Sequence, residues 1–133
     1  MTKIYVDPDI EKAETLPAVF YRSNSYFDKL KEKVFVKSWQ FVGHESILPI
    51  NINTYPFEFI KNYIEEPLLL VKNEDEKIIC LSNVCTHRAN ILINNKGNVR
   101  DLRCMYHGRK FNLDGTFKSM PEFSFCLLYT SPS

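Results

Sequence analysis

Four residues of this chain could hold metal at close spacing. Cys85 and His87 are separated by Thr86, and Cys104 and His107 by Met105 and Tyr106, with Gly108 directly after. Two thiolates and two imidazoles offered from two tight loops can converge on one centre. One chemistry this suits is a 2Fe–2S cluster in which one iron takes both sulfurs and the other both nitrogens. Neutral imidazole ligation places the reduction potential of such a cluster well above that of an all-cysteine one. The rival is a tetrahedral Cys2His2 zinc site. Zinc fingers usually pair Cys with Cys and His with His, whereas here each loop brings one of each, and one pair is spaced by a single residue. The plainest alternative, four unrelated polar residues, requires two Cys–His pairs to fall together in turn-like segments by chance.

Loops of this kind need rigid elements behind them. Short apolar runs with strand texture lie at 40–44, 57–60, 68–72, 78–82, 99–104, 110–113 and 116–117, bounded by turn chemistry at 73–77, 94–98 and Asp114-Gly115. Many short strands with polar turns predict a mainly β domain, a small antiparallel sandwich or barrel. The pairs then fall after Ile78–Ser82 and Val99–Leu102, at two hairpin tips side by side at one end of the sheet. Ile91, Leu92 and Ile93 interrupt the polar loop between them, either as a cap that limits water access to the centre or as core beneath the loop. Cys80 lies in an apolar run, where a free thiol is usually a small buried hydrophobe.

Upstream, residues 1–24 show little periodicity and contain Pro8 and Pro17, which predicts an extended arm. Over 26–38, Phe27, Leu30, Val34 and Phe35 recur at helical spacing among lysines and a glutamate. Ser25 with Asp28 three residues later fits a capping box, so Ser25 is the expected N-cap. Trp39 ends the stripe and is expected to pack on the domain body.

The 133 residues suffice for one domain. A net charge of +1 gives no electrostatic reason to expect nucleic acid or an anionic membrane as partner. The opening MTKIYVDPDI lacks a signal-peptide core, and the aliphatic run Leu68 to Val71 is far too short to cross a bilayer. A cytoplasmic location is the default, and four cysteines do not by themselves imply disulfides there.

The segments Asn83-Val84-Cys85-Thr86-His87-Arg88 and Cys104-Met105-Tyr106-His107-Gly108-Arg109-Lys110-Phe111-Asn112-Leu113-Asp114-Gly115 resemble the Rieske domain of ring-hydroxylating, non-haem iron oxygenases. The resemblance runs from about Trp39 to Pro121. It implies a Rieske-type antiparallel β-sandwich with the 2Fe–2S cluster at its tip, Cys85 and Cys104 on one iron, and His87 and His107 on the other. Arg88, Tyr106 and Gly108 become candidates for contacts around the ligands. Respiratory Rieske proteins carry a further disulfide in these loops; the matching positions here are Asn90 and Tyr106, so that clamp is missing. Met105 stands where the family often has proline, and Arg109-Lys110 where it often has a tryptophan-containing pair.

The family activates oxygen at a second, mononuclear Fe(II), held by two histidines and a carboxylate. Of three histidines here, only His44 is left over, so no catalytic residue is expected in this chain. The expected organisation is an arm and helix over 1–38, the Rieske domain over 39–125, and a non-native tail over 126–133, which resembles adapter read-through. The resemblance implies the N-terminal electron-transfer domain of an oxygenase large subunit. Its partners would be a reductase or ferredoxin donor and the catalytic domain of a neighbouring subunit in a homo- or hetero-oligomer. A stand-alone Rieske ferredoxin is the alternative, and a structural zinc module a lesser one.

Overall fold

The computed structural model describes residues 4–121, which fall into two compact units divided between Val42 and Gly43. The sequence expectations for 126–133, Cys126 included, lie outside the described residues.

In the first unit the arm is not wholly extended. Pro17, with its fixed φ of −63°, starts a short helix α1 (Ala18–Arg22), and Ser23 ends it by donating its N–H to Val19 at 3.1 Å. The same Ser23 is the N-cap of α2 (Asn24–Lys33). The expected cap at Ser25 is therefore displaced by two residues, and Ser25 lies inside the helix. The cause is local: a residue in extended conformation between two helices serves both, and Ser23 holds that place at φ −93°, ψ 120°. Val34 closes α2 on the Leu30 carbonyl at 2.9 Å, and Phe35–Lys37 adds a 3-10 turn. Phe20 sits 5.6 Å from Tyr26, ring centre to ring centre, which ties α1 to α2. Trp39 lies in this first unit, two residues beyond the 3-10 turn.

The second unit is built of two antiparallel sheets. In the first, β1 (Thr54–Phe59), β2 (Glu66–Lys72) and β3 (Ile78–Ser82) lie in the order β1-β2-β3. Pro56, which cannot donate to a ladder, sits on the edge strand β1 opposite Leu69. The period of two along β2 sends Leu69 and Val71 fully into the core. Each such side chain contributes about 1.5–3 kcal/mol by burial. Asn73 turns β2 into β3, its side chain accepting the Asp75 and Lys77 N–H groups. The second sheet holds β4 (Leu102–Arg103), β5 (Lys110–Phe111) and β6 (Phe117–Ser119); β4 and β5 are shorter than the expected runs, and β6 is one residue longer. Residues 40–44 form no strand at all: that run has no partner ladder.

Leu69, Val71, Cys85, Leu92, Leu102, Cys104 and Phe111 make one buried cluster, with Ile79, Leu81, Ile93, Val99 and Leu113 packed on it. Leu92 and Ile93 therefore belong to the core beneath the ligand loops. Cys80 does not: the alternation of β3 turns it outward, and its thiol is exposed.

Two asparagines replace missing strand ladders. Asn53 donates to the Val99 carbonyl at 2.7 Å and accepts the Val99 N–H at 2.9 Å. Buried Asn83 does the same for Ile93, at 2.7 and 2.9 Å. The polar segment between the ligand pairs is thus pinned at both ends. Among the described residues no helix is long and apolar enough to cross a membrane.

Candidate metal centre

The two loops that carry the Cys–His pairs fold as the same turn. Each cysteine donates its N–H to the carbonyl five residues on, Cys85 to Asn90 and Cys104 to Arg109, both at 2.8 Å. Each cysteine carbonyl accepts the N–H of the residue four on, Ala89 and Gly108, both at 3.0 Å. Those two residues have left-handed backbone, φ 51° and 71°. Paired residues close each loop at its base, Val84 with Ile91 and Arg103 with Lys110. A Cβ at position 108 would sit 3.1 Å from Pro121 Cγ, so this turn takes glycine for space as well as for φ.

The equivalence brings like donors together. Cys85 and Cys104 are each about 2 % exposed, and their thiols face one another. The His87 and His107 rings lie 4.8 Å apart, centre to centre, at 67°. The half-open turns also aim N–H groups at the sulfurs: those of His87 and Arg88 at Cys85, those of Tyr106 and His107 at Cys104. Such backbone nests favour anionic sulfur.

Burial raises the Cys85 thiol, helped by the facing Cys104 and opposed by the two N–H groups. Burial also pushes Cys104 up, but its N–H donors, Cys85 and the Asn90 amide outweigh it, and Cys104 lies below the ordinary thiol value. His87 is lowered, by desolvation first and then by His107 and the positive charges of Arg88 and Arg109, so its ring is neutral at pH 7 and able to ligate.

Of the residues expected around the ligands, Arg88 is exposed beside His87, and Tyr106 stacks on His107 at 3.7 Å between ring centres. Gly108 forms the turn. Two others are not among the residues expected around the ligands. Arg109 is only 1 % exposed, its guanidinium carbon 5.4 Å from the Phe111 ring centre and 5.0 Å from that of Phe117. A cation between two aromatic faces is held there by their quadrupoles. Asn90 donates its side-chain N–H to Cys104 Sγ at 3.7 Å. His44 serves a local turn, its Nδ1 accepting the Ser46 N–H at 3.2 Å.

These residues fit an iron–sulfur cluster better than a single ion. Among the described residues, no three of His, Cys, Asp and Glu gather on one ion-sized point, as tetrahedral zinc requires. The donors pair instead, thiol with thiol and ring with ring. His107 Nδ1 is buried and has no hydrogen-bond partner among the described residues. A ring nitrogen left so costs about 1–3 kcal/mol, which a metal bond would offset.

Comparison with known proteins gives the chain a family. Residues 38–127 match the family model described as "Rieske [2Fe-2S] domain". The chain is 38 % identical over 106 residues to the carnitine monooxygenase oxygenase subunit of Escherichia coli K12, covering 79 % of this chain and 27 % of that one. It is 31 % identical over 122 residues to the biphenyl dioxygenase alpha subunit of Metapseudomonas furukawaii, covering 89 % and 25 %. It thus spans about a quarter of the length of these relatives. Among solved structures it resembles a quaternary ammonium Rieske monooxygenase, described with inter-subunit electron transfer, at TM-score 0.72 and 31 % identity over 85 % of this chain and 31 % of that one. It also resembles the naphthalene 1,2-dioxygenase of a Rhodococcus species, at TM-score 0.70 and 25 % identity over 81 % and 24 %. The chain belongs to the Rieske [2Fe-2S] domain family.

Proposed function

We propose that this chain passes single electrons as the N-terminal domain of a Rieske non-haem iron oxygenase. Cys85 and Cys104 would hold one iron of the 2Fe–2S cluster, and His87 and His107 the other. When bound, the cluster supplies a reversible one-electron couple at a potential raised by its imidazole ligands. The chain's own residues do the rest. The turns present sulfurs already biased toward the anion, Leu92 and its neighbours keep water from the cysteine side, and the exposed face of the paired histidines gives the electron its way in and out.

In this reading a reductase or ferredoxin supplies the electron in the cytoplasm. It leaves for a mononuclear Fe(II) in the catalytic domain of a neighbouring subunit, which hydroxylates an organic substrate with O2. Outside the two loops the sequence has one histidine, His44, and its Nδ1 accepts the Ser46 N–H, so in this reading that second iron is held elsewhere. Residues 39–125 would be the cluster domain and 1–38 its N-terminal extension. The relatives are named for carnitine and for biphenyl, and in this reading the substrate is chosen outside the cluster domain.

The observation that carries the proposal is the delivery of two thiols and two imidazoles, as like pairs, by two copies of one turn. Anaerobic reconstitution with iron and sulfide tests it. The expected product has visible absorption and, once reduced, a Rieske-type electron paramagnetic resonance signal. A colourless chain that binds zinc and no sulfide would refute it.

A further inference from the structure

Asn90 touches both ligand loops. Its main-chain carbonyl accepts the Cys85 N–H at 2.8 Å and so closes the first loop. Its side-chain nitrogen lies 2.8 Å from the Ile91 carbonyl and 3.7 Å from Cys104 Sγ in the second loop. Both neighbours are acceptors, which settles the orientation of the amide: the nitrogen, with two hydrogens to give, faces them. The side chain is half-buried, so the N–H···S contact is less screened than one in water.

From this geometry we propose that Asn90 is a tuning residue of the centre. Its amide donates across the loops to the Cys104 sulfur, keeps the two turns in register, and raises the reduction potential of the cluster. The inference rests on the reading that Cys104 is an iron ligand. A reduced cluster places more negative charge on its sulfurs, so a donor aimed at one stabilises the reduced state more than the oxidised state. The chain makes this link with an ordinary side chain that no ligand motif contains. It differs from the backbone donors of the nests, which any residue at those positions supplies.

The test is the midpoint potential of the reconstituted full chain, followed by electron paramagnetic resonance during reductive titration, for wild type, Asn90→Ala and Asn90→Asp. Aspartate keeps the size of the side chain but, when ionised, cannot donate. Both variants are expected to favour the oxidised state by about tenfold at fixed potential, a fall of ~59 mV for one electron. Either loaded variant at the wild-type midpoint overturns the proposal. So do two variants that fold, judged by circular dichroism, and hold no cluster, because the amide would then serve assembly alone. A wild-type chain that takes up no cluster overturns the functional reading as well, whereas a loaded wild type with unmoved variants overturns only the role of Asn90.

Discussion

Ala89 and Gly108 occupy the same position in two copies of one turn, each giving its N–H to the carbonyl of the cysteine four residues before it. Both take left-handed backbone, yet only one is glycine. The first loop therefore holds an alanine where glycine would cost less in the folded state, and in the second a Cβ would meet Pro121 at 3.1 Å.

Replacing Gly108 with alanine is expected to destabilise the chain by about 1 kcal/mol for backbone conformation, with an added cost as Pro121 gives way. Replacing Ala89 with glycine relieves the same strain and is expected to be neutral or stabilising by up to about 1 kcal/mol. Urea unfolding of the two variants checks both. Equal losses at the two positions would mean the turns are not equivalent.

Much of the centre was legible because its chemistry is local. Cys85, His87, Cys104 and His107 sit in short turns whose shape follows from a few residues, and the structure faces Cys85 with Cys104 and His87 with His107. The strands behind them were found where periodicity was strong, as at 78–82, and overextended where it was not. The run at 40–44 reads as a strand in isolation, but a strand needs a partner, and pairing is a property of the whole fold. Cys80 failed for a similar reason, because only the register of β3 decides which face it takes. The roles of Asn53, Asn83 and Asn90 were invisible for another cause: an asparagine that completes a ladder or reaches a sulfur looks in sequence like any loop asparagine.

Asn83 is the stronger clamp to test. Its side chain satisfies both the N–H and the carbonyl of Ile93 while 3 % exposed. Asn83→Ala leaves two buried backbone groups without partners and is expected to cost about 2–4 kcal/mol. A loss below about 1 kcal/mol in denaturant unfolding would mean that water takes over the role of the amide. Asn83→Asp can still accept the N–H and should fall in between.

The metal-free chain should lose stability in acid through His87. Its folded-state pKa lies below the ordinary 6.5, with desolvation as the first cause. The unfolded chain therefore binds the proton more readily, and stability rises with pH across the interval between the two values. The contribution of His87 is complete above about pH 6.5 and is lost as the pH falls through the folded value. Tm measured from pH 7.5 to 5 should fall in the wild type and fall less in His87→Gln. Parallel curves for the two chains would show that this ring does not carry the dependence.

His107 offers the sharpest single substitution at the centre. Its Nδ1 is buried without a partner among the described residues, and its ring is flanked by Tyr106 and His87. Cysteine at this position keeps a donor atom but exchanges a neutral imidazole for a thiolate, adding a negative charge beside iron. With a cluster ligated as proposed, His107→Cys should move the midpoint potential out of the Rieske range, which begins near about −150 mV, toward the ~−400 mV of all-cysteine ferredoxin clusters. An unchanged midpoint in a fully loaded variant would exclude His107 as a ligand. The orphaned nitrogen would then need another partner, and the pairing of like donors would lose its purpose.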